Sequence, residues 1–229
     1  MFEFTFKMFS EGSATVPAKG MGEIPKQLAA RLPDSVIRLN SPVSSLAGDR
    51  VVLESGEVIE ASQVVVATNA AAAARLVDGF GGFEPRWRAV TNVYYEAPKS
   101  PLGEAIIALN GTQDGVVNNV AVMSDLAPAY APEGKALISV SVLGDNGEDD
   151  LPAMVKKELE AWFGEEVTDW RHLRTDLIRE ALPRQDETNP VGYREIAGML
   201  VCGDHAVSAS IEGAISSGKS AAEAALARS

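Results

Sequence analysis

The octapeptide GAISSGKS, residues 213–220, fits the phosphate-loop pattern GxxxxGK[ST], in which backbone amides wrap the phosphates of a nucleoside triphosphate. Such a loop needs a buried strand that ends at its first glycine, and the chain must then leave helical geometry. The preceding residues 205–212, HAVSASIE, are a poor strand, and the convincing strand at 199–202 ends well before Gly213. Nucleoside triphosphate binding through residues 213–220 is therefore an alternative that the flanking sequence disfavours.

The same segment has the periodicity of an α-helix. Apolar or small residues recur at intervals of three and four straight through the octapeptide. They are Ile211, Ala214, Ile215, Gly218, Ala221, Ala222 and Ala225. This pattern predicts an uninterrupted helix that starts near Ser210, and a helix cannot wrap phosphates. Plain close packing is the other explanation for so many small residues.

The junction between the strand and this helix indicates a different site. Small residues keep the first turns of the helix open to another surface: Gly213, Ala214, Ser217 and Gly218. Free N–H groups and the positive end of the helix dipole favour an electron-rich group there. Asp204, at the carboxyl end of the strand, can accept hydrogen bonds from sugar-like hydroxyls. A cofactor with a polyol and ring carbonyls suits these residues better than a triphosphate does.

Composition limits the classes of partner. The chain has 229 residues, of which 46% are hydrophobic and 23% charged, as in an ordinary globular protein with a real core. Its net charge of −12 repels phosphate backbones, so no nucleic acid partner is expected. With one cysteine and two histidines, neither a disulfide framework nor a metal site is expected. We find no leader peptide and no transmembrane segment, and we predict a soluble, cytoplasmic protein.

An α/β arrangement is predicted around the site. The apolar run at 64–67, followed by an alanine-rich helix, is typical of a central parallel strand buried on both faces. Residues 36–61 predict a small β-meander, and 20–33 a short helix with Ile24, Leu28 and Leu32 on one face.

Between these parts, residues 80–148 predict longer, largely antiparallel strands. DDLPAMVKKELEAWFG, residues 149–164, predicts a helix that Asp149 or Asp150 could cap, and residues 168–183 predict a returning strand. Residues 1–10 suit either a strand or a helix. The aromatic residues near Tyr94 and Tyr95 fit either a substrate pocket or the core.

Residues 203–223, GDHAVSASIEGAISSGKSAAE, resemble the C-terminal signature of the flavin-containing amine oxidase, phytoene desaturase and protoporphyrinogen oxidase superfamily. That signature is Gly-Asp, a gap, Ser-Ile-x-Gly-Ala, then Ser-Gly and paired alanines. The matching residues here are Gly203, Asp204, Ser210, Ile211, Gly213, Ala214, Ser217, Gly218, Ala221 and Ala222. VPAKGMGEIPKQLA, LNSPVSSL, GEVIEASQVVVATN and DLIREALP are similar to other segments of the family, in the same order.

The resemblance implies FAD as cofactor and a set of residues that hold it. Gly203 and Asp204 would lie by the pyrophosphate and ribityl chain. The backbone of the helix start, at Ser210, Ile211, Gly213 and Ala214, would face the isoalloxazine ring. Val43 would meet the adenine, and Ala67 and Thr68 would lie near the cofactor. No catalytic side chain is predicted, and His205 is interpreted as a loop or packing residue.

The implied fold is a partial Rossmann-like FAD-binding α/β domain with an inserted β-rich substrate domain. The first would comprise residues 20–76 and 190–229, and the second residues 1–19 and 77–189. The family's GxGxxG turn is missing, because GMGEIP and GFGG both fail at the last glycine. We therefore expect an N-terminal half or a partner chain to supply that turn.

The expected function is that of the C-terminal portion of an FAD-dependent oxidoreductase. It would oxidise an apolar small-molecule substrate at a C–H or C–N bond by hydride transfer to the flavin. The alternative is a non-catalytic accessory chain that completes a partner's flavin site. Assembly into a homo-oligomer is left open.

Overall fold

The computed structural model describes residues 15–80, 87–112, 114–147, 149–183 and 192–228. The ambiguous segment 1–10 lies outside these ranges. None of the described helices is both long and apolar enough to span a bilayer.

Eleven strands and five α-helices follow one another along the described ranges. The strands are β1 (Val43–Ala47), β2 (Arg50–Leu53), β3 (Val58–Glu60), β4 (Val65–Val66), β5 (Trp87–Ala97), β6 (Ile107–Leu109), β7 (Val117–Val122), β8 (Ala136–Leu143), β9 (Arg171–Pro183), β10 (Arg194–Ile196) and β11 (Met199–Val201). The helices are α1 (Glu23–Ala29), α2 (Ala70–Leu76), α3 (Met123–Leu126), α4 (Leu151–Phe163) and α5 (Ile211–Leu226).

The chain divides into two compact units. The first comprises residues 1–37 and 90–178, and the second comprises residues 38–89 and 179–229. The two units thus alternate along the chain, and residues 90–178 of the first unit lie between the two segments of the second. The bounds of the first unit include α1, whereas the sequence predicts this helix in the α/β part.

The first unit is built on a sheet with strand order β6-β7-β8-β5-β9, in which the pairs β6–β7, β7–β8 and β8–β5 are antiparallel. Strand β8 alternates strictly, with Ala136, Ile138, Val140 and Val142 buried on one face. Helix α4 covers that face through its buried side chains Leu151, Val155 and Leu159, which are spaced four residues apart. Gly164, at φ 82°, ends the helix.

Two details of this unit differ from the sequence prediction or refine it. Asp150 occupies the N-cap position of α4, but its side chain makes no capping hydrogen bond. Tyr95 belongs to the core, where its hydroxyl donates to the Pro152 carbonyl at 2.5 Å, while Tyr94 is half-buried on the opposite face of β5.

The second unit contains two small sheets. The predicted meander is confirmed as the antiparallel sheet β1-β2-β3, and the other sheet has the order β10-β11-β4. Strands β11 and β4 run parallel, whereas β10 is antiparallel to β11. Helix α2 follows β4 as predicted, and the Asn69 side chain caps it by accepting from the Ala72 amide at 2.8 Å.

Strand β4 is more exposed than its apolar sequence predicted. It has two residues, and Val65 is 40% exposed, while Val64 and Val66 are buried. The expectation of burial on both faces was therefore wrong at Val65. Within the described part of the chain, β4 is an edge strand, because only β11 pairs with it. The fully buried strand of this sheet is β11.

Candidate functional site

Two loops meet at one edge of the mixed sheet. The parallel register pairs Leu200 with Val65 and Val201 with Val66, so both strands end at the same level. The residues that follow them, Ala67-Thr68 and Gly203-Asp204, therefore leave the sheet side by side. In α/β proteins this carboxyl edge is where ligands bind. Four of the predicted cofactor-binding residues are thus brought together.

Gly203 shows how close the two loops are. A Cβ atom at this position would lie 3.2 Å from the Thr68 carbonyl oxygen and 2.6 Å from the His205 ring. Its φ of 156° is also one that side-chain-bearing residues rarely adopt. A short 3₁₀ turn, Asp204–Ala206, follows and is closed by a hydrogen bond from the Ala206 amide to the Gly203 carbonyl. This tight turn requires glycine at position 203 and fixes the position of the Asp204 backbone.

The start of α5 is the third component of the site. Ser210 is the N-cap, and its hydroxyl accepts from the Gly213 amide at 2.9 Å. The Ala214 amide donates to the Ser210 carbonyl. The amides of Ile211 and Glu212 have no acceptor among the described residues. These two amides, at the positive end of a 16-residue helix, can receive an electron-rich group.

Helix α5 buries a different face from the apolar stripe that predicted it. The helix is continuous from Ile211 to Leu226, so the prediction that residues 213–220 are helical is confirmed. Its buried residues are Gly213, Ser217 and Ala221, whereas Ile211 and Ile215 are 53% and 48% exposed. Of the predicted stripe, only Ala221 is buried. Ile211, Ala214, Ile215 and Ala222 are exposed, whereas Gly218 and Ala225 are partly buried.

Gly213 and Ser217 explain the buried face. A Cβ atom at Gly213 would run into the Ser208 carbonyl oxygen, so the glycine allows the preceding loop to lie against the helix. The small residues at these two positions therefore accommodate other segments of the same chain. At Gly218, in contrast, a Cβ atom would meet nothing within 4 Å.

His205 is buried beside the site. Only 5% of the residue is exposed, and its ring meets the edge of the Phe80 ring at a centroid distance of 5.6 Å. Burial lowers the pKa of His205 below its ordinary value; the Asp204 carboxylate, 3.9 Å away, opposes this effect, and Arg194 adds to it. His205 is therefore neutral at pH 7, which supports its interpretation as a packing residue.

The lowered pKa of His205 gives a pH dependence of stability. An imidazole that is harder to protonate in the folded state binds fewer protons there than in the unfolded chain. The contribution of His205 to the free energy of unfolding is therefore fully present above the unfolded-state pKa near 6.5. This contribution is lost as the pH drops below that value. We expect the free energy of unfolding, measured in urea at pH 7.5 and 5.5, to fall between the two, and His205→Gln to reduce that fall.

His172→Gln is the matched control, because His172 is exposed on β9. It should keep the wild-type pH dependence. An identical fall in wild type and His205→Gln would contradict the assignment.

The other singled-out residues lie apart from this edge or play no chemical role in it. Val43 lies in β1, paired with Leu53 in the separate meander sheet, so its contact with adenine stays a prediction. Cys202 is buried, and burial raises the pKa of its thiol, which makes it unreactive. Lys219 is an exposed helix residue, 3.9 Å from Glu223. No group of three potential metal ligands occurs in the described ranges.

Sequence reasoning missed Asn69, which lies directly after Thr68. Its side chain caps α2 and also donates to Glu180 at 3.3 Å, a contact within the second unit. An asparagine just before an alanine-rich helix is a capping signal that could have identified it.

The comparison with protein families decides the family. The flavin-containing amine oxidoreductase family matches residues 2–226. The chain belongs to this family. No curated protein matches the sequence significantly.

Solved structures agree on the fold. A redesigned putrescine oxidase superposes with a TM-score of 0.68 at 14% identity, covering 93% of this chain and 54% of its own. Reduced UDP-galactopyranose mutase superposes with a TM-score of 0.60 at 15% sequence identity, and the match covers 73% of this chain and 40% of the mutase. A Klebsiella pneumoniae HpxO variant, complexed with FAD, superposes with a TM-score of 0.54 at 14% sequence identity. The match covers 91% of this chain and 56% of HpxO.

The family match confirms the predicted family and, with it, a flavin cofactor, and the solved structures confirm the α/β fold class. At such low identity the structures speak for the fold alone. The chain spans about half the length of the solved proteins it matches.

Proposed function

We propose that this chain forms one side of the FAD site in an oxidoreductase that takes a hydride equivalent from an apolar small molecule at a C–H or C–N bond. The observation that carries this proposal is the convergence of Ala67-Thr68 and Gly203-Asp204 at one sheet edge, beside the start of α5. Family membership supports the redox chemistry.

The residues at this edge fit part of FAD. Glycine at 203 lets its turn pack against the Thr68 carbonyl, which brings Asp204 close to the Ala67-Thr68 loop. Asp204 keeps 28% of its side-chain surface exposed and can accept hydrogen bonds from hydroxyls such as those of a ribityl chain. The amides of Ile211 and Glu212 suit a ring carbonyl. The pyrophosphate loop, for which the sequence has no GxGxxG, is the part this chain does not supply.

The chain's contribution to catalysis is orientation and electrostatics. Bound FAD supplies the hydride acceptor. The amides of Ile211 and Glu212, with the helix dipole behind them, stabilise negative charge placed against the helix start. Asp204 fixes the orientation of a hydroxyl-bearing ligand. Neutral His205 packs behind that carboxylate without neutralising it.

Exposed surfaces of the second unit support a partner that supplies the missing turn. Among the described residues only β11 pairs with β4, so the other edge of β4 offers its backbone groups to a further parallel strand. The outer face of α5 exposes Ile211 and Ile215, with open space at Gly218. We propose that a segment or partner chain carrying GxGxxG adds its strand along β4. The same surfaces would serve the alternative, an accessory chain that completes a partner's flavin site.

The visible spectrum of the purified protein tests the proposal. The chain alone should bind FAD weakly or not at all, because it lacks the pyrophosphate loop. Co-expressed with a GxGxxG-bearing half, it should co-purify as a yellow complex whose visible bands are those of bound flavin. An accessory chain would give the same spectrum.

The phosphate-loop alternative provides the contrary outcome. Magnesium-dependent ATP binding that Lys219→Ala abolishes would overturn the proposal. A colourless complex after addition of excess FAD would overturn it as well.

A further inference from the structure

Ser217 makes two hydrogen bonds between backbone segments inside the second unit. Its side chain is fully buried. The hydroxyl oxygen accepts from the Gly203 amide at 2.9 Å and donates to the Gly192 carbonyl at 2.5 Å. One serine of α5 thus joins the end of β11 to the segment that leads into β10.

The register of β10 and β11 shows what this hydroxyl replaces. Arg194 pairs with Val201 in the antiparallel ladder, so continuing the same register would pair Gly192 with Gly203. At that pair no direct backbone hydrogen bond forms. Instead the Ser217 hydroxyl stands between the Gly203 N–H and the Gly192 C=O. The ladder therefore ends because a side chain of α5 enters it.

Gly192 is shaped for the same arrangement. Its φ is +83°, and a Cβ atom there would lie 3.0 Å from the Ser220 hydroxyl oxygen and 3.2 Å from the Ser220 Cβ. Glycine therefore lets this backbone lie against α5, one turn beyond Ser217. Both segments meet the helix through glycines.

We infer that Ser217 is a positioning residue that separates β10 from β11 and so directs the Gly203-Asp204 turn out of the sheet, toward the cofactor. The amide of Cys202, one residue earlier, still donates to the Val66 carbonyl of β4. Gly203, two residues beyond β11, thus has its amide held by a helix side chain, and Asp204 follows it directly. The cofactor part of this inference rests on the proposed function.

Amide hydrogen exchange in the chain, followed by NMR, tests the local part without any cofactor. Ser217→Ala removes both hydrogen bonds, and Ser217→Cys keeps the size of the side chain with a weaker donor. We expect exchange of the Gly203 amide to accelerate at least about tenfold in Ser217→Ala and less in Ser217→Cys. Exchange at Val155 should stay unchanged, which shows that the first unit folds, and exchange at Leu200, fully buried in β11, should stay slow, which shows that the second unit folds. Ser216→Ala is the control, because its hydroxyl contacts the Gly213 carbonyl instead.

FAD affinity of the complex with the GxGxxG-bearing half tests the cofactor part. The dissociation constant should rise about tenfold in Ser217→Ala and remain at the wild-type value in Ser216→Ala. Unchanged exchange at Gly203 would overturn the inference. So would faster exchange with unchanged FAD affinity, since Ser217 would then act on stability alone. If the wild-type complex binds no FAD, the proposed function fails and the cofactor part of the inference fails with it, while Gly203 exchange still decides whether Ser217 holds the turn.

Discussion

Gly213→Ala is expected to destabilise the protein, although alanine is the better helix former. Its Cβ atom would run into the backbone carbonyl oxygen of Ser208, which cannot rotate away as a side chain would. Forcing an extra carbon into such a contact costs about 1–3 kcal/mol, and part of this is offset by helix propensity. We expect the free energy of unfolding in urea to fall, and the FAD affinity of the complex to fall with it, because the loop 207–210 must shift.

Gly218→Ala is the matched control on the same helix. A Cβ atom there meets nothing within 4 Å, so the substitution removes only the flexibility of glycine. It should raise the free energy of unfolding by about 0.5–1 kcal/mol. Equal effects of the two substitutions, in sign and size, would contradict the packing described for α5.

Asp204→Asn is expected to give the largest loss of cofactor affinity. The carboxylate lies at the sheet edge on a turn fixed by Gly203, and a hydrogen bond to a charged group contributes about 1.5–3 kcal/mol. The dissociation constant for FAD, measured by fluorescence quenching on the complex with the GxGxxG-bearing half, should rise about 10- to 100-fold. Asparagine keeps the size of the side chain, so the unfolding free energy should change little.

Asp49→Asn controls for the loss of one negative charge. Asp49 is exposed in the β1–β2 turn, and its backbone carbonyl, which accepts from the Ala61 amide, is unaffected. This variant should bind FAD like the wild type. Equal affinities for Asp204→Asn and wild type would exclude Asp204 from the cofactor site.

Much of the second unit could be predicted from local sequence. Helix α5 follows from its periodicity, and the strands β4 and β11 follow from two short apolar runs, although the sequence did not predict that they pair. The resemblance then named Gly203 and Asp204, which the structure brings to the same edge as Ala67 and Thr68. Local pattern sufficed here because each element is specified by residues that are close in sequence.

What local sequence could not predict depends on long-range contacts. The buried face of α5 is set by the approach of Ser208 and Gly203, so small residues are buried and the isoleucines are exposed. A hydrophobic stripe cannot reveal this, because it shows that a helix face is apolar but not whether the same chain or a different molecule covers that face. The exposure of Val65 has the same origin, since its neighbours depend on which strand pairs with β4.

The most direct test of the central claim is a map of where FAD contacts this chain. The chain would be isotopically labelled, assembled with an unlabelled GxGxxG-bearing half, and its backbone amides compared by NMR before and after addition of FAD. We predict the largest chemical-shift changes at Ala67 and Thr68, Gly203 and Asp204, and residues 210–214. FAD binding that leaves these amides unchanged, or shifts those of residues 91–143 instead, would contradict the assignment of the β4–β11 edge.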